Sequence, residues 1–326
     1  MPDSDQIDTS KQIHRRTGRT FYVATKLLPE RVREATYVLY AFFRVADEVV
    51  DRTDDPDPDA QRRRLESMRA AALGESVDGM ELPDDERAVL EAFRSLATEK
   101  DIADDEVAVF VDAMIQDIET TRYETHADLE GYMRGSSVAV ANMMMAAMEM
   151  PEADRERSRP HAAALAEAFQ LTNFLRDVRE DIHDYGRVYL PQETLDRYGV
   201  AESDLAAANV TDEFVAAMRH ELQRTERRYR EGVAGIRLLP EDCQFGVLLA
   251  AVFYAEHHRL IRSHDYDVLS ETPELGRLRR GYLLVRTWVH WRLHRDPEAT
   301  FYAVSAVSRG GDSDGVETDG PTGYAA

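Results

Sequence analysis

The most constraining feature of this chain is a helix-forming segment whose polar residues occupy only a narrow seam. In YVLYAFFRVADEVVD, Tyr40, Arg44, Asp47 and Asp51 step by 4, 3 and 4, which aligns them on one stripe of an α-helix. Leu39, Ala41, Phe42, Phe43, Val45, Ala46, Val49 and Val50 fill the remainder, and Glu48 is the one further charge. A surface helix has an apolar stripe and a broad polar face. Here the proportions are reversed, so the helix must be buried on most sides with its seam on a polar cavity.

A second segment repeats the design. In AFQLTNFLRDVREDIHDYGRVYLP, Gln170, Asn173, Asp177, Asp181 and Asp184 step by 3, 4, 4 and 3, against Phe169, Leu171, Phe174, Leu175 and Val178. Each segment therefore carries an aspartate pair one turn apart, Asp47 with Asp51 and Asp177 with Asp181. Such like charges repel by a few tenths of a kcal/mol (about 0.2–0.5) on an exposed helix and by far more when buried without a cation. Oxygen-only donors at this spacing suit Mg²⁺, which keeps several waters and bridges one or two carboxylates to phosphate oxygens. A single pair says little in so acidic a chain, and Asp101 with Asp105 is another. Two pairs on largely apolar helices, each with an arginine a turn or less upstream (Arg44, Arg176), say more. The structural alternative is a buried ion-pair network in which Arg176 and Arg187 answer Asp47 and Asp51.

The rest of the chain reads as helix. Prolines are sparse, and the periodicity predicts helices at 31–52, 59–73, 84–99, 105–122, 127–149, 161–185, 211–236, 240–264 and 274–295. One short extended piece is expected at Arg187–Leu190. Residues 54–60 and 74–85 read as solvated loops, and there is no repeat of 20–50 residues. The expected organisation is one all-α domain over 1–308, followed by a polar, Gly-rich, disordered acidic tail over 309–326.

Charge narrows the function. With 62 Asp+Glu against 40 Lys+Arg, the formal charge is −22, which argues against nucleic-acid binding. The only lysines are Lys11, Lys26 and Lys100, so the basic residues are almost all arginine. Such a surface suits a salty cytoplasm, where a Debye length of ~3 Å at 1 M salt screens its self-repulsion; a GC-rich genome is the plainer explanation. Cys243 is the one cysteine, which excludes an intrachain disulfide. MPDSDQIDTSKQ has no apolar leader, and no apolar run reaches the roughly 20 residues of a membrane span, so a cytoplasmic protein is expected. No basic amphipathic helix is evident, and any membrane contact is expected to be peripheral, hydrophobic and transient.

FRVADEVVD and FQLTNFLRDVREDIHDYGRVYLP resemble the two aspartate-rich signatures of the squalene/phytoene synthase family, and specifically the phytoene synthase branch in an acidic, haloarchaeal-like form. The likeness runs from RTGRTFYVATKLLPE (16–30) through TTRYETHADLEGYMRG (120–135) to LLAAVFYAEHHRLIRSHDYDV (248–268) and stops before the tail. It implies an isoprenoid synthase-type helical bundle with a central cavity. It further implies Mg²⁺ (two or three ions, with Mn²⁺ as the substitute) held by Asp47, Asp51, Asn173, Asp177 and Asp181, and no NADPH. Tyr40, Arg44, Gln170, Arg176 and Tyr254 would meet diphosphate or intermediate, with Thr17, Gly18, Arg19, Thr20 and Phe21 at the diphosphate-contacting turn. Departures are Gly18 where a serine is usual, Val138 and Ala141 where glycine is common, and Glu271 where an arginine can stand. Residues 136–141 are therefore given no catalytic role, and Arg262 and Arg277 are the candidates to stand in for the arginine.

The implied activity is a prenyltransferase joining two geranylgeranyl diphosphates head to head, through a cyclopropylcarbinyl diphosphate (prephytoene diphosphate), to phytoene, the first step of carotenoid biosynthesis. The Asp pairs would hold the metal that neutralises the leaving diphosphate, and Arg44 and Arg176 would add charge-assisted hydrogen bonds. Walls of Phe21, Phe42, Phe43, Phe169, Phe174, Met143–Met145 and Phe253 would keep water from the carbocation. Release of the hydrocarbon at a membrane surface follows from its chemistry. The alternatives are a squalene or dehydrosqualene synthase using farnesyl diphosphate and, from a different class, a non-catalytic assembly factor of the same fold, which would have lost its seam carboxylates.

Overall fold

Helix formation follows the punctuation of the chain. The computed structural model describes residues 2–17, 19–51, 57–75 and 83–310. Helices α1 (Ser4–Thr17), α2 (Arg19–Thr25) and α3 (Glu30–Val50) lead to α4 (Pro58–Leu73), α5 (Asp84–Lys100) and α6 (Asp104–Glu119). Next come α7 (His126–Met133), a π-helical turn (Arg134–Val138), α8 (Ala139–Ala147), α9 (Glu152–Arg176) and α10 (Val178–Asp184). Then follow α11 (Gln192–Tyr198), α12 (Glu202–Ala206), α13 (Asp212–Val233), a 3-10 turn (Ile236–Leu238), α14 (Glu241–Ser263), α15 (Arg277–His294) and α16 (Pro297–Val304). Side-chain caps set several starts: Asp57 on α4, a Thr125–Asp128 capping box on α7, Thr211 on α13 and Asp296 on α16.

The all-α expectation holds among the described residues, with corrections to particular elements. Helices α1, α2, α11, α12 and α16 were not expected; most are short and carry weak periodicity. The segment at Arg187–Leu190 forms only one bridge, Arg122 with Val188. The helix expected over 127–149 is interrupted by the π-helical turn. The one expected from 161 begins at Glu152 and runs through Pro160. It breaks at Asp177 because the Arg179 N–H donates to the Val268 carbonyl (3.2 Å) instead of continuing the ladder. Of the tail, residues 311–326 lie outside the described residues, as do 54–56 and 76–82 of the expected loops.

Three hydrophobic clusters draw on α9: Leu175 joins one beside α10–α13, and the two larger ones carry most of the packing. One is built by α3–α8 around Phe42, whose ring stacks on Phe93 at 3.9 Å. The other gathers α9, α13, α14, α15 and α16 around Tyr229, Phe253 and Phe301. Leu171 and Phe174 of α9 belong to the first cluster, Leu165 and Ala168 to the second. Burying a side chain such as Phe42 contributes about 1.5–3 kcal/mol. Close helix crossings depend on two glycines. A Cβ on Gly135 would sit 2.4 Å from the Val109 carbonyl oxygen of α6, and one on Gly232 would sit 2.7 Å from the Leu165 backbone of α9. Neither position has room for a side chain.

Helix α15 is basic and carries apolar side chains on two sides. Leu283, Thr287 and Trp291 pack inward, while Leu278, Tyr282, Val285, Val289 and Leu293 point outward. Apolar residues on opposite sides had cancelled the periodic signal.

Candidate active site

A cavity of about 420 Å³ runs between the two larger clusters, lined by α2, α3, α6, α8, α9, α13 and α14. Its polar end is formed by Tyr40, Arg44 and Asp47 of α3, Gln170 and Asn173 of α9, and Tyr254 of α14. Away from that end, the wall passes down α9 through Phe169, Ala166, Leu165 and Ala162 to Ser158. Each of the two helices carries one polar seam; Tyr40, Arg44 and Asp47 of the first and Gln170 and Asn173 of the second meet at the same end of one apolar chamber, and the remaining aspartates of both lie outside its wall.

The acids and arginines at this end are interlocked. Arg44 donates to Glu48 at 3.2 Å and lies 3.6 Å from Asp47 and 3.8 Å from Asp51. Arg187 lies 3.3 Å from Asp51 and donates to the Val50 and Asp117 carbonyls. Arg176 chelates Asp177 through two nitrogens. The ion-pair alternative is thus met at Asp51 with Arg187, whereas Arg176 answers Asp177 and Asp47 is answered by Arg44. Asp117, unremarked in the sequence, is buried and accepts hydrogen bonds from the Tyr132 (2.7 Å) and Tyr189 (3.3 Å) hydroxyls.

Positive charge is in short supply there. Burial, and then the neighbouring Asp51, push Asp47 up to about 7. Burial with Asp177 and Glu180 pushes Asp181 up to about 8, and burial raises Asp117 to about 6. Asp51 is raised by burial as well. Asp47 lies deep in the molecule, yet 47% of its side chain remains open, toward the cavity. An acid that is buried within the fold but open to a chamber is placed to meet a cation entering it.

The other expected site residues divide into three groups. Phe21 lines the cavity, and Thr17 donates to the Tyr40 hydroxyl at 3.3 Å. Asp51, Arg176, Asp177 and Asp181 sit beyond the polar end and do not line the cavity. Gly18 and the side chains of Arg19 and Thr20 lie outside the described residues. Among the described residues, no three His, Cys, Asp or Glu groups converge into a ready-made metal site.

Several wall assignments need correction. Phe43, Phe169, Met144 and Met145 line the cavity, but Phe42, Phe174, Met143 and Phe253 turn into the cores. Phe110 and Met114 of α6 take their place. Arg262 is committed to Glu226 at 2.6 Å, and Arg277 begins α15 on the surface, so neither replaces an arginine at Glu271.

The squalene/phytoene synthase family model matches residues 14–279. The chain belongs to the squalene/phytoene synthase family. As a member it is 31% identical to the 15-cis-phytoene synthase of Synechococcus elongatus, over 81% of this chain and 86% of that protein. It is 30% identical to the phytoene synthase of Thermus thermophilus, over 92% and 99% of the two chains. A solved structure of a dehydrosqualene synthase in complex with ligand superposes with a TM-score of 0.77, at 26% identity, over 89% of this chain and 98% of that one. The fold is that of the isoprenoid synthases, and the family makes this chain a prenyltransferase.

Sequence reasoning on this family member missed two features of the site. His14 is fully buried, stacks on Tyr40 at 3.9 Å, and is held neutral by burial, which lowers it to about 3. Its signal was a lone histidine in an otherwise polar helix. Ser136, Ser137, Val140 and Ala141 line the cavity although no role was given to 136–141. The π-helical turn aims Ser136 and Ser137 inward, and nothing in the local pattern announced it.

Proposed function

We propose that this protein is a phytoene synthase, joining two C20 prenyl diphosphates head to head at the acid- and arginine-rich end of the cavity. The observation that carries the reading is the depth of the chamber beyond that end. From Asn173 to Ser158, α9 descends four turns, ~22 Å along its axis. An extended chain advances ~1.2 Å per bond, so a C20 prenyl tail of four isoprene units reaches ~19 Å and a C15 tail ~14 Å. The wall is long enough for the whole C20 tail, and two relatives that match most of the chain, those of Synechococcus elongatus and Thermus thermophilus, carry the name phytoene synthase.

The donor set fits Mg²⁺. Asp47, Asp51, Asn173, Asp177 and Asp181 offer only oxygen, and the raised Asp47 and Asp181 mark a site short of cations. Bound there, the metal would neutralise the leaving diphosphate as a Lewis acid. The chain's own residues supply the remainder. Arg44, on the cavity wall, would donate charge-assisted hydrogen bonds to diphosphate oxygens, and Arg176, which chelates Asp177 beyond that wall, would join it once a cation takes over Asp177. Phe21, Phe43 and Phe169 line the cavity next to that end and keep water from an allylic cation while offering it their π faces. Tyr254, pushed up to about 12 by burial, stays a neutral hydroxyl on the same wall.

Product chromatography tests the assignment. Purified protein with Mg²⁺ and the C20 diphosphate should give a C40 triene without reductant. Squalene or dehydrosqualene from the C15 diphosphate, with or without NADPH and with no C40 product, would overturn it.

A further inference from the structure

Six of the eight large apolar side chains exposed among the described residues lie on one helix, α15. Leu278 (92% exposed), Tyr282, Val285 (60%), Val289 and Leu293 (71%) step by 4, 3, 4 and 4, and exposed Trp288 widens the stripe on one side. Monomeric surfaces scatter exposed apolar residues; a continuous row marks a docking face. The charge of α15 is also unlike that of the rest of the chain. The segment RLRRGYLLVRTWVHWRLH carries Arg277, Arg279, Arg280, Arg286 and Arg292 and no carboxylate, within a protein of net charge −22. Arg279 is spent on Glu256 (2.8 Å), and Arg286 on the Ala303 carbonyl. Among the described residues no carboxylate pairs with Arg277, Arg280 or Arg292.

We propose that α15 is a membrane-surface helix, which lays its outward stripe into the interface of a bilayer bearing anionic headgroups. Arginines flanking an apolar stripe that includes a tryptophan and a tyrosine are the composition of an interfacial helix. No helix among the described residues is long and apolar enough to cross a membrane, so α15 lies on the bilayer. The acidic remainder of the surface does not forbid the approach, since charges beyond ~10 Å are screened at 0.1 M salt and the headgroups meet α15 first. A two-fold pairing of two copies through this face would set arginine against arginine with no carboxylate on the helix to answer them.

The position of α15 gives the contact a use. Trp291 packs against Phe245 of α14 at 6.1 Å between ring centroids, and the next residues of α14, Gly246 and Val247, line the cavity. One helix separates the lipid-facing stripe from the chamber. This use rests on the proposed function, because amphiphilic substrates and a hydrocarbon product are what a membrane would exchange; vesicle binding itself is read without turnover.

Flotation of the full chain with vesicles at 0.1 M salt tests the proposal. The wild-type protein should float with phosphatidylcholine vesicles containing phosphatidylglycerol. A variant combining Leu278→Ser, Val285→Ser and Leu293→Ser should lose partitioning by about tenfold or more. The same variant should keep its helical circular dichroism and its turnover on detergent-dispersed substrate. Arg292→Glu should weaken binding to the anionic vesicles more than to pure phosphatidylcholine. A wild-type protein that stays at the bottom of the gradient, or a triple variant that floats as well as wild type, would refute the proposal. So would a wild-type dimer that fails to float and that the triple substitution dissociates.

Discussion

Arg187 lies 3.3 Å from Asp51 at the end of α3, while its backbone N–H donates to the Asp181 carbonyl at 2.8 Å. A single residue therefore ties the last turn of one acidic helix to the last turn of the other. Its guanidinium also closes over the Asp117 carbonyl, and the Asp117 carboxylate is held by two tyrosines. The spacing of the two acidic segments is thus set before any cation arrives.

Replacing Arg187 by Met should be costly for the fold. The side chain is 91% buried, and removing one partner of a buried pair typically costs about 3–5 kcal/mol because the other charge is left behind. The urea midpoint of Arg187→Met should fall, and Arg187→Lys should recover only part of the loss, having one cationic nitrogen for three acceptors. An unchanged midpoint would mean that Asp51 finds its charge balance elsewhere.

The metal-free protein should lose stability as pH rises from about 7 to 8.5. Asp117, Asp47 and Asp181 stand at about 6, 7 and 8 in the fold, above the ~3.9 of an unfolded aspartate. Below about pH 6.5 the opposite sign comes from His14 and His257, which burial keeps neutral in the fold while an unfolded imidazole takes up a proton. Above it those histidines are neutral in both states, the folded chain holds more protons on Asp47 and Asp181 than the unfolded chain, and stability declines with pH. In EDTA the melting temperature should be lower at pH 8.5 than at pH 7. Mg²⁺ with inorganic diphosphate should raise it more at pH 8, where the acids are free to bind. A melting temperature that rises from pH 7 to pH 8.5 in EDTA would contradict the assignment.

Asp47→Asn separates catalysis from folding. The substitution keeps the size of a side chain that opens on the cavity and removes a charge that burial and Asp51 disfavour. Turnover should fall by on the order of 100-fold or more, since even outer-shell partners of a metal are worth 10–100-fold. The metal-free variant should melt no lower than wild type at pH 8, and its pH slope should flatten. Near-normal turnover would remove Asp47 from the metal-holding set.

What was legible in the sequence follows from which contacts are local. The seams of α3 and α9 could be read because a few polar residues at helical spacing stand out in an apolar background. The break at Asp177 could not, because the Val268 carbonyl that causes it belongs to a distant loop. Phe42 and Phe43 show the same limit: adjacent on a helix buried nearly all round, they face a core and a cavity respectively, and only packing decides which. The stripe of α15 escaped notice because Leu283 and Trp291 on its inner side masked Leu278 and Leu293 on its outer side.

The length of the chamber makes chain-length preference testable at one residue. Ala162 lines the wall eleven residues before Asn173, ~16 Å down α9. That depth lies beyond the ~14 Å reach of a C15 tail and short of the ~19 Å reach of a C20 tail. A phenyl ring there should clip the longer chain and spare the shorter one. Ala162→Phe should therefore lower kcat/KM for the C20 diphosphate while leaving that for any C15 turnover nearly unchanged, at an overpacking cost of about 1–3 kcal/mol in stability. Parallel assays with both diphosphates read the ratio directly, so a general loss of folded enzyme, which scales both rates equally, does not mimic the effect. An unchanged ratio would place the tail along another wall.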